Sequence, residues 1–216
     1  MVSSVSLIVL SLTKIKENAV VLHTLSPEFG RRSFLATVNR TAPMALFLPL
    51  SILNAEVVRN PRSDLWKLRN IRSEHPLNAI RSDLRKNTIA LFMSEVLYRT
   101  VRDGSTADSL YSWCRGSILT LDSLESDFSN YHLRFLLELA SVLGFTPSIE
   151  DLAPFVGENL AAARQLLELD LAGCMLLPLN GRTRNDLAAS LIQYLCVHTE
   201  SNINVQSLKV LSEIFR

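Results

Sequence analysis

The sequence is poor in the residues that build disulfides, zinc sites and membrane spans. Its 216 residues include three cysteines, Cys114, Cys174 and Cys196, and no two of them are close. A disulfide framework needs paired cysteines and a zinc site needs a Cys-x-x-Cys spacing, so we expect neither, and we expect a reduced, cytoplasmic protein. No apolar run approaches the ~20 residues of a membrane span, and the N-terminus lacks the basic start of a signal peptide. We therefore expect no membrane contact.

The motifs of common catalytic sites are missing too. There is no glycine-rich phosphate loop, no Gly-x-Ser-x-Gly and no His-Glu-x-x-His. Asp122, Glu125 and Asp127 cluster near a predicted helix junction, where a solvated helix cap explains them better than a metal site does. We therefore expect no enzymatic activity, no catalytic residue, no bound metal and no cofactor.

Glycine and proline are scarce, and charge is unevenly divided. With 7 Gly, 8 Pro and 48% hydrophobic residues, the composition is that of a folded globular protein. The net charge of +1 hides an asymmetry, because residues 1–102 hold 15 Lys and Arg against 7 Asp and Glu, whereas residues 103–216 hold 7 against 14. This predicts a polyanionic partner for the first half. The alternative is that the two halves attract each other.

Residues 18–38 have the pattern of a β-hairpin. Two runs rich in Val, Leu, Thr and Phe flank a five-residue loop, in which Pro27 presets a turn and Gly30 tolerates a positive φ. Arg31 and Arg32 follow the turn directly, before an alternating Phe and Ala pattern. Arginines beside a tight turn are able to meet phosphates, so we interpret this hairpin as the edge of a nucleic-acid-binding barrel.

Three further segments predict strands, at residues 3–12, 51–59 and 65–72, the last alternating regularly. Five short strands in about seventy residues favour a small barrel, either of the oligonucleotide-binding (OB) type or SH3-like. From Ile80 onward the apolar spacing is helical. We therefore predict an α+β protein, with a five-stranded barrel of one of these two types for DNA binding over residues 1–76 and an all-helical domain for partner binding over 77–216.

The predicted barrel carries ten lysines and arginines. Side chains that neutralise phosphates bind nucleic acid in a salt-dependent manner with little sequence preference. Trp66 lies between basic neighbours and is the best candidate for an exposed stacking platform, whereas Phe34 and Phe47 are expected in the core. The predicted DNA-binding residues are Lys14, Lys16, Arg31, Arg32, Arg40, Arg62, Trp66, Lys67 and Arg69.

One arginine, Arg134, lies inside the apolar helical segment 131–139. It is either a surface cation on the polar stripe of the helix or a cation beside a hydrophobic groove. The second arrangement suits a peptide with an acidic, apolar C-terminus.

Several segments resemble the bacterial recombination mediator family RecO, in the version found in Bacteroidetes. The resemblance runs with gaps over nearly the whole chain, and it implies an OB barrel followed by a helical domain with a non-catalytic role. The segments that carry it are Glu28–Phe34, Ala45–Leu53, Ile89–Leu97, Asn130–Leu137, Gly144–Phe145 and Gln206–Phe215.

The resemblance implies specific partners. RecO-like proteins bind single- and double-stranded DNA, anneal complementary strands, bind the C-terminal tail of the single-strand-binding protein and, with RecR, help load RecA. A nucleoid-associated location follows. Carried over by position, Arg31 and Arg32 would contact DNA and Arg134 would meet the acidic tail.

The sequence departs from the family in two places. Many members have a four-cysteine zinc module, but residues 145–181 hold only Cys174, so we expect no zinc. The loop 39–43 is shorter and less basic than is usual in the family. An alternative function is therefore a protein-interaction adaptor whose barrel no longer binds DNA.

Overall fold

The computed structural model describes residues 2–104 and 108–215, and it begins with a closed five-stranded barrel. The strands pair in the order β1-β2-β3-β5-β4, and β4 pairs back with β1. This confirms the predicted fold class, an OB-type barrel followed by helices. The strands are β1 (Val2–Lys16), β2 (Ala19–Ser26), β3 (Gly30–Thr37), β4 (Ile52–Val58) and β5 (Trp66–His75).

The predicted hairpin is confirmed as β2 and β3, but its loop has three residues, 27–29, rather than the predicted five, because Ser26 and Gly30 still pair. The two strands pair antiparallel from Ala19 opposite Thr37 to Ser26 opposite Gly30, and Gly30 has a φ of 59°. Leu22 and Phe34, which face each other across the pair, are fully buried in the barrel core. Burial of a side chain of this size contributes about 1.5–3 kcal/mol, so the alternating pattern fixes which face of the hairpin turns inward.

Strand β1 is longer than predicted. Lys14 and Lys16 were expected in a loop, but they pair with Val20 and Ala19 on β2. The strand continues because β2 offers it a hydrogen-bonding partner up to the tight turn at residues 17 and 18. Both lysines are consequently exposed on the outside of the barrel.

Strand β5 contains a bulge, and the predicted regular alternation is wrong there. Leu68 and Ile71 are both buried, at 2% and 7% exposure, although they are three residues apart. Two residues of β5, Asn70 and Ile71, lie opposite the single Ala55 of β4. Asn70 has a φ of 52°, in the left-handed region that Asn tolerates better than most residues. The bulge leaves Arg69 and Asn70 consecutively exposed to solvent.

Past His75, every regular element of the described residues is helical, as predicted. No helix in the described part of the chain is long and apolar enough to cross a membrane. The helices are α1 (Asn78–Ser82), α2 (Leu84–Thr100), α3 (Asp108–Ser123), α4 (Tyr131–Val142), α5 (Ile149–Val156), α6 (Leu160–Glu168), α7 (Leu171–Leu176), α8 (Gly181–Thr199) and α9 (Ser207–Ile214).

The chain forms two compact units, and neither is continuous in sequence. The first contains the barrel, up to residue 78, together with residues 101–118; the second contains residues 79–100 and those from 119 onward. In the first unit, Cys114 of α3 is fully buried, and this burial raises the pKa of its thiol to about 12. The predicted division at residues 76 and 77 stays a prediction about independent folding.

Candidate nucleic-acid interface

The barrel wall opens into a cleft between the loop after β3 and strand β5. Strands β3 and β5 pair in parallel at only two positions, Phe34 with Trp66 and Leu35 with Lys67. Beyond these positions the two strands separate. The resulting cleft has a volume of about 550 Å³, within the range of about 300–1,000 Å³ typical of ligand sites. Its lining residues are Thr37, Asn39, Thr41, Ala42, Lys67, Leu68, Arg69, Asn70, Ile71 and Arg72.

Three cations on one wall give this basic cleft its charge. Lys67, Arg69 and Arg72 are exposed on β5, and within residues 2–104 and 108–215 none of them forms an ion pair. Beneath them, Leu68 and Ile71 form an aliphatic floor. Like charges along a concave, low-dielectric wall focus a positive potential, so the cleft attracts anions.

The opposite wall is a short loop that is held by hydrogen bonds to the side chain of Asn39. The Oδ1 atom of Asn39 accepts hydrogen bonds from Thr41 N (2.9 Å), Thr41 Oγ1 (2.8 Å) and Ala42 N (2.8 Å). Such an Asx turn fixes the backbone locally, and the buried side chain of Ala42 anchors the loop to the barrel core. Arg40 lies in this turn with its side chain exposed, next to the cleft.

The lysines of β1 lie on the same side of the barrel. Asn18, in the β1–β2 turn, accepts a hydrogen bond of 2.9 Å from Val38 N, just before the loop of the cleft. Lys16 pairs with Ala19, which in turn pairs with the cleft residue Thr37. Since neighbouring strands are about 4.8 Å apart, the Lys16 backbone lies roughly 10 Å from the cleft wall.

Arg31 lies away from the cleft and is held by its own chain. Its Nε is 3.1 Å from Asp103 Oδ1, and its Nη1 donates a hydrogen bond of 2.6 Å to the carbonyl of Val101. The Arg31 carbonyl accepts a bond of 3.0 Å from Gly104 N, and the side chain is only 17% exposed. A DNA contact by Arg31 stays a prediction, and it would have to compete with these bonds.

Arg32 and Trp66 belong to a cluster at one end of the barrel, which we call the basic-aromatic cap: Phe29, Arg32, Arg59 and Trp66. The Arg32 guanidinium lies 3.7 Å from the centroid of the Trp66 ring, and that of Arg59 lies 4.8 Å away. Phe29 meets Trp66 edge to face at 5.6 Å, and both rings pack against the barrel core. Trp66 is therefore half-buried and covered by arginine, rather than an open stacking platform.

Near the basic-aromatic cap lie another exposed arginine, Arg62, and two carboxylates, Asp64 and Asp103. Arg62 is exposed in the β4–β5 loop, where its N–H donates to Asn60 Oδ1 at 3.0 Å. Arg31 and Arg32 line a second depression of about 410 Å³, but Asp64 and Asp103 line it too. The positive charge is partly balanced here, which distinguishes this depression from the basic cleft.

Of the predicted DNA-binding residues, the structure brings Lys67, Arg69 and Arg40 together around the cleft, with Lys14 and Lys16 nearby. Arg31, Arg32, Arg62 and Trp66 lie elsewhere on the barrel. Arg72 was left out of the predicted set but lines the cleft. Its position among the basic residues of β5 was the only sequence signal for it.

Arg134 is at the edge of a small pocket in the helical unit. Its Nε donates a hydrogen bond of 2.6 Å to Glu138 Oε1, and its Nη1 donates one of 2.9 Å to the carbonyl of Leu169. Burial works against the charged form, but the hydrogen bond and charge of Glu138 raise the pKa of Arg134. The pocket, of about 210 Å³, is also lined by Leu137, Leu166 and other residues. It combines one arginine with an apolar wall.

Comparison with known proteins covers both the barrel and the helices. A family model described as "Recombination protein O C terminal" matches residues 81–153. The DNA repair protein RecO of Bacteroides fragilis is 30% identical over 234 aligned positions, which cover 96% of this chain and 97% of that protein. RecO of Phocaeicola vulgatus is 35% identical over 63% of each chain, and RecO of Flavobacterium psychrophilum is 25% identical over 96% and 97%.

Proposed function

Because the chain belongs to the RecO family of DNA repair proteins, we propose that it is a DNA-binding recombination mediator that holds DNA at the basic cleft. The observation that carries this proposal is the row Lys67, Arg69 and Arg72. These three exposed cations lie along one wall of a cleft and form no ion pair within the described part of the chain. Cations in this arrangement release counterions from DNA, and this release drives binding with little regard to sequence.

Strand annealing is the activity that such a surface supports. Two complementary strands repel each other through their phosphates, and bound cations reduce that repulsion. The step breaks and forms no covalent bond, so it needs no catalytic residue, cofactor or metal. In this proposal the protein is not an enzyme, and it binds both single- and double-stranded DNA.

The helical unit is proposed to recruit partners. Arg134 beside the apolar wall of Leu137 and Leu166 suits the acidic, apolar C-terminal tail of the single-strand-binding protein. A tail carboxylate would have to displace Glu138 from Arg134 or share it. Family membership supports the further roles, which are to act with RecR and to help load RecA onto DNA coated by single-strand-binding protein.

The deciding experiment is oligonucleotide binding across a salt series. For the proposed function, log affinity falls linearly with log salt, and Lys67→Gln and Arg69→Gln each flatten the slope by about 0.7 on single strands. Arg164→Gln, which removes an exposed cation from α6, is the matched control and leaves the slope unchanged. Binding that ignores salt, or slopes that all three variants leave unchanged, would refute the proposal.

The alternative, a protein-interaction adaptor, has one observation in its favour. Arg31 and Arg32, two of the predicted DNA contacts, are held by Asp103, by Trp66 and by backbone carbonyls of their own chain. An adaptor would bind an acidic, apolar peptide through Arg134 while binding no oligonucleotide at low salt. The same binding assays, run with both ligands, separate the two functions.

A further inference from the structure

We infer that the basic cleft grips the sugar–phosphate backbone of a single strand and leaves the bases facing outward. This inference rests on the proposed function and deepens it by naming the part of DNA that is bound. Three features of the cleft support this inference: its exposed cations, the hydrogen bonds that its side-chain amides already make within the protein, and the location of the aromatic rings of the barrel.

Three of the groups in the cleft that remain able to bind a ligand are cations. Lys67, Arg69 and Arg72 are exposed along β5. At about 3.3 Å per residue they extend over roughly 15 Å, long enough to meet more than one phosphate. Arginine and lysine bind phosphate oxygens strongly through charge-assisted hydrogen bonds.

The two amides that could read a base edge are already engaged. Asn39 Oδ1 accepts three hydrogen bonds from its own loop, and Asn70 Nδ2 donates one of 2.8 Å to Glu56. An asparagine recognises adenine with its oxygen and its nitrogen together. In Asn39 the oxygen already accepts three bonds, and in Asn70 one of the two amide hydrogens is committed to Glu56, so a bidentate contact with a base competes with bonds that the protein already makes.

The aromatic rings of the barrel lie elsewhere. No aromatic side chain is among the described residues that line the cleft. Phe34 and Phe47 are buried at 0% and 2% exposure, and Phe29 and Trp66 belong to the basic-aromatic cap, where Arg32 covers the Trp66 ring. Stacking on an aromatic ring is worth about 1–3 kcal/mol per base, so its absence removes the main reason for a base to enter.

A strand held by its backbone presents its pairing edges to solvent. A complementary strand can then pair with the bound one without first displacing bases from protein pockets. The cleft therefore meets two requirements of annealing: it binds a strand, and it leaves the bases of that strand accessible to a complementary strand. Because the contacts are to the backbone, binding does not depend on sequence.

Modified oligonucleotides test this directly on the full-length protein. One probe carries a central run of abasic sites, which removes bases, and the other a central run of methylphosphonate linkages, which removes backbone charge. We expect the abasic probe to bind within about two-fold of the natural strand, and the methylphosphonate probe to bind about ten-fold more weakly. Thymines of the bound natural strand should stay reactive to permanganate.

Two variants tie the result to the cleft. In Lys67→Gln/Arg69→Gln the difference in affinity between natural and methylphosphonate strands should shrink, whereas the control Arg164→Gln should leave it unchanged. Thermal unfolding of both variants checks that they are folded. Binding lost with the abasic probe, or thymines protected from permanganate, would overturn the inference while leaving the proposed function intact. Failure of every probe to bind, at any salt concentration, would instead overturn the proposed function.

Discussion

Asn70 donates a hydrogen bond of 2.8 Å from its side-chain amide to the carboxylate of Glu56, across the pair of strands β5 and β4. This bond ties down the left-handed residue of the bulge, where φ is 52°. The bulge in turn shifts the alternation by one residue, so that Ile71 faces the core and Arg72 faces solvent beside Lys67 and Arg69. A contact within the sheet thus sets the direction of a cleft cation.

Substitution of Asn70 separates the contribution of its hydrogen bond to Glu56 from the cost of its left-handed backbone conformation. Asn70→Ala removes the hydrogen bond and places a Cβ-bearing residue with no local hydrogen bond in the left-handed region, so we expect unfolding free energy to fall by about 1–3 kcal/mol. Asn70→Gly keeps the φ angle at no steric cost and should lose less. Urea denaturation of both variants measures this difference. Equal losses would show that the left-handed conformation is not what the asparagine stabilises.

Arg31 should behave as a stabilising residue rather than as a DNA contact. Arg31→Gln removes the ion pair with Asp103 and the hydrogen bond to the Val101 carbonyl, and a hydrogen bond of a charged group is worth about 1.5–3 kcal/mol when lost. We expect a lower urea midpoint and an unchanged slope of DNA affinity against salt. Lys67→Gln should show the reverse, with stability retained and a flatter slope. A flattened slope in Arg31→Gln would restore this arginine to the DNA-binding set.

Glu138 should limit access to Arg134. Glu138→Gln keeps the shape of the side chain but removes the charge that competes with a peptide carboxylate. We expect this variant to bind an acidic peptide with an apolar C-terminus more tightly than the unchanged protein, and Arg134→Gln to bind it more weakly. Fluorescence anisotropy with a labelled peptide reports both effects. If the two variants bind the peptide alike, Arg134 is not the peptide site.

His132 should make the protein sensitive to mild acid. It is buried among apolar neighbours that include Phe92 and Phe215, and this burial, with help from the charge of Arg184, lowers its pKa from 6.5 to about 3. Below pH 6.5, His132 binds a proton in the unfolded chain but stays neutral in the folded chain. The free energy of unfolding therefore falls as the pH drops towards 3. The loss is on the order of 3 kcal/mol by about pH 4.

Comparison of variants isolates this histidine from the carboxylates that also titrate in acid. His132→Phe should unfold with a weaker dependence on pH between about 6.5 and 4. The control Phe135→Leu, at another buried aromatic residue of α4, should lower stability at every pH and keep the pH dependence of the unchanged protein. Urea denaturation at a series of pH values provides the data. Identical pH profiles for His132→Phe and the unchanged protein would contradict the assignment.

Local sequence signals were enough to predict the hairpin, because both of its determinants are short-range. Pro27 and Gly30 specify the turn, and the alternation through Phe34 specifies the buried face. The bulge in β5 was not predictable in this way. The run from Leu65 to Arg72 alternates as well as any regular strand, and only its pairing with β4 reveals the extra residue.

The sequence predicted which residue types form the candidate site but not how those residues are arranged in space. The sequence indicated that the first half is basic, and the cleft uses Lys67 and Arg69 from the predicted set. It gave no sign that Arg31 would be bound by Val101 and Asp103, some seventy residues later in the chain. Nor did it indicate that Trp66 would lie beneath Arg32. Such long-range pairings depend on how the barrel closes.

The discontinuous first unit has a consequence for the order of events at the ribosome. All five strands emerge before residues 101–118, which belong to the same compact unit. At a synthesis rate of about 5–20 residues per second, the nascent strands wait several seconds for the carbonyl of Val101 and the carboxylate of Asp103 to arrive. Helix α2, which belongs to the other unit, has by then been made. The first unit is therefore completed only after part of the second has been made, but before the remainder of the second, from residue 119 onward, has been synthesised.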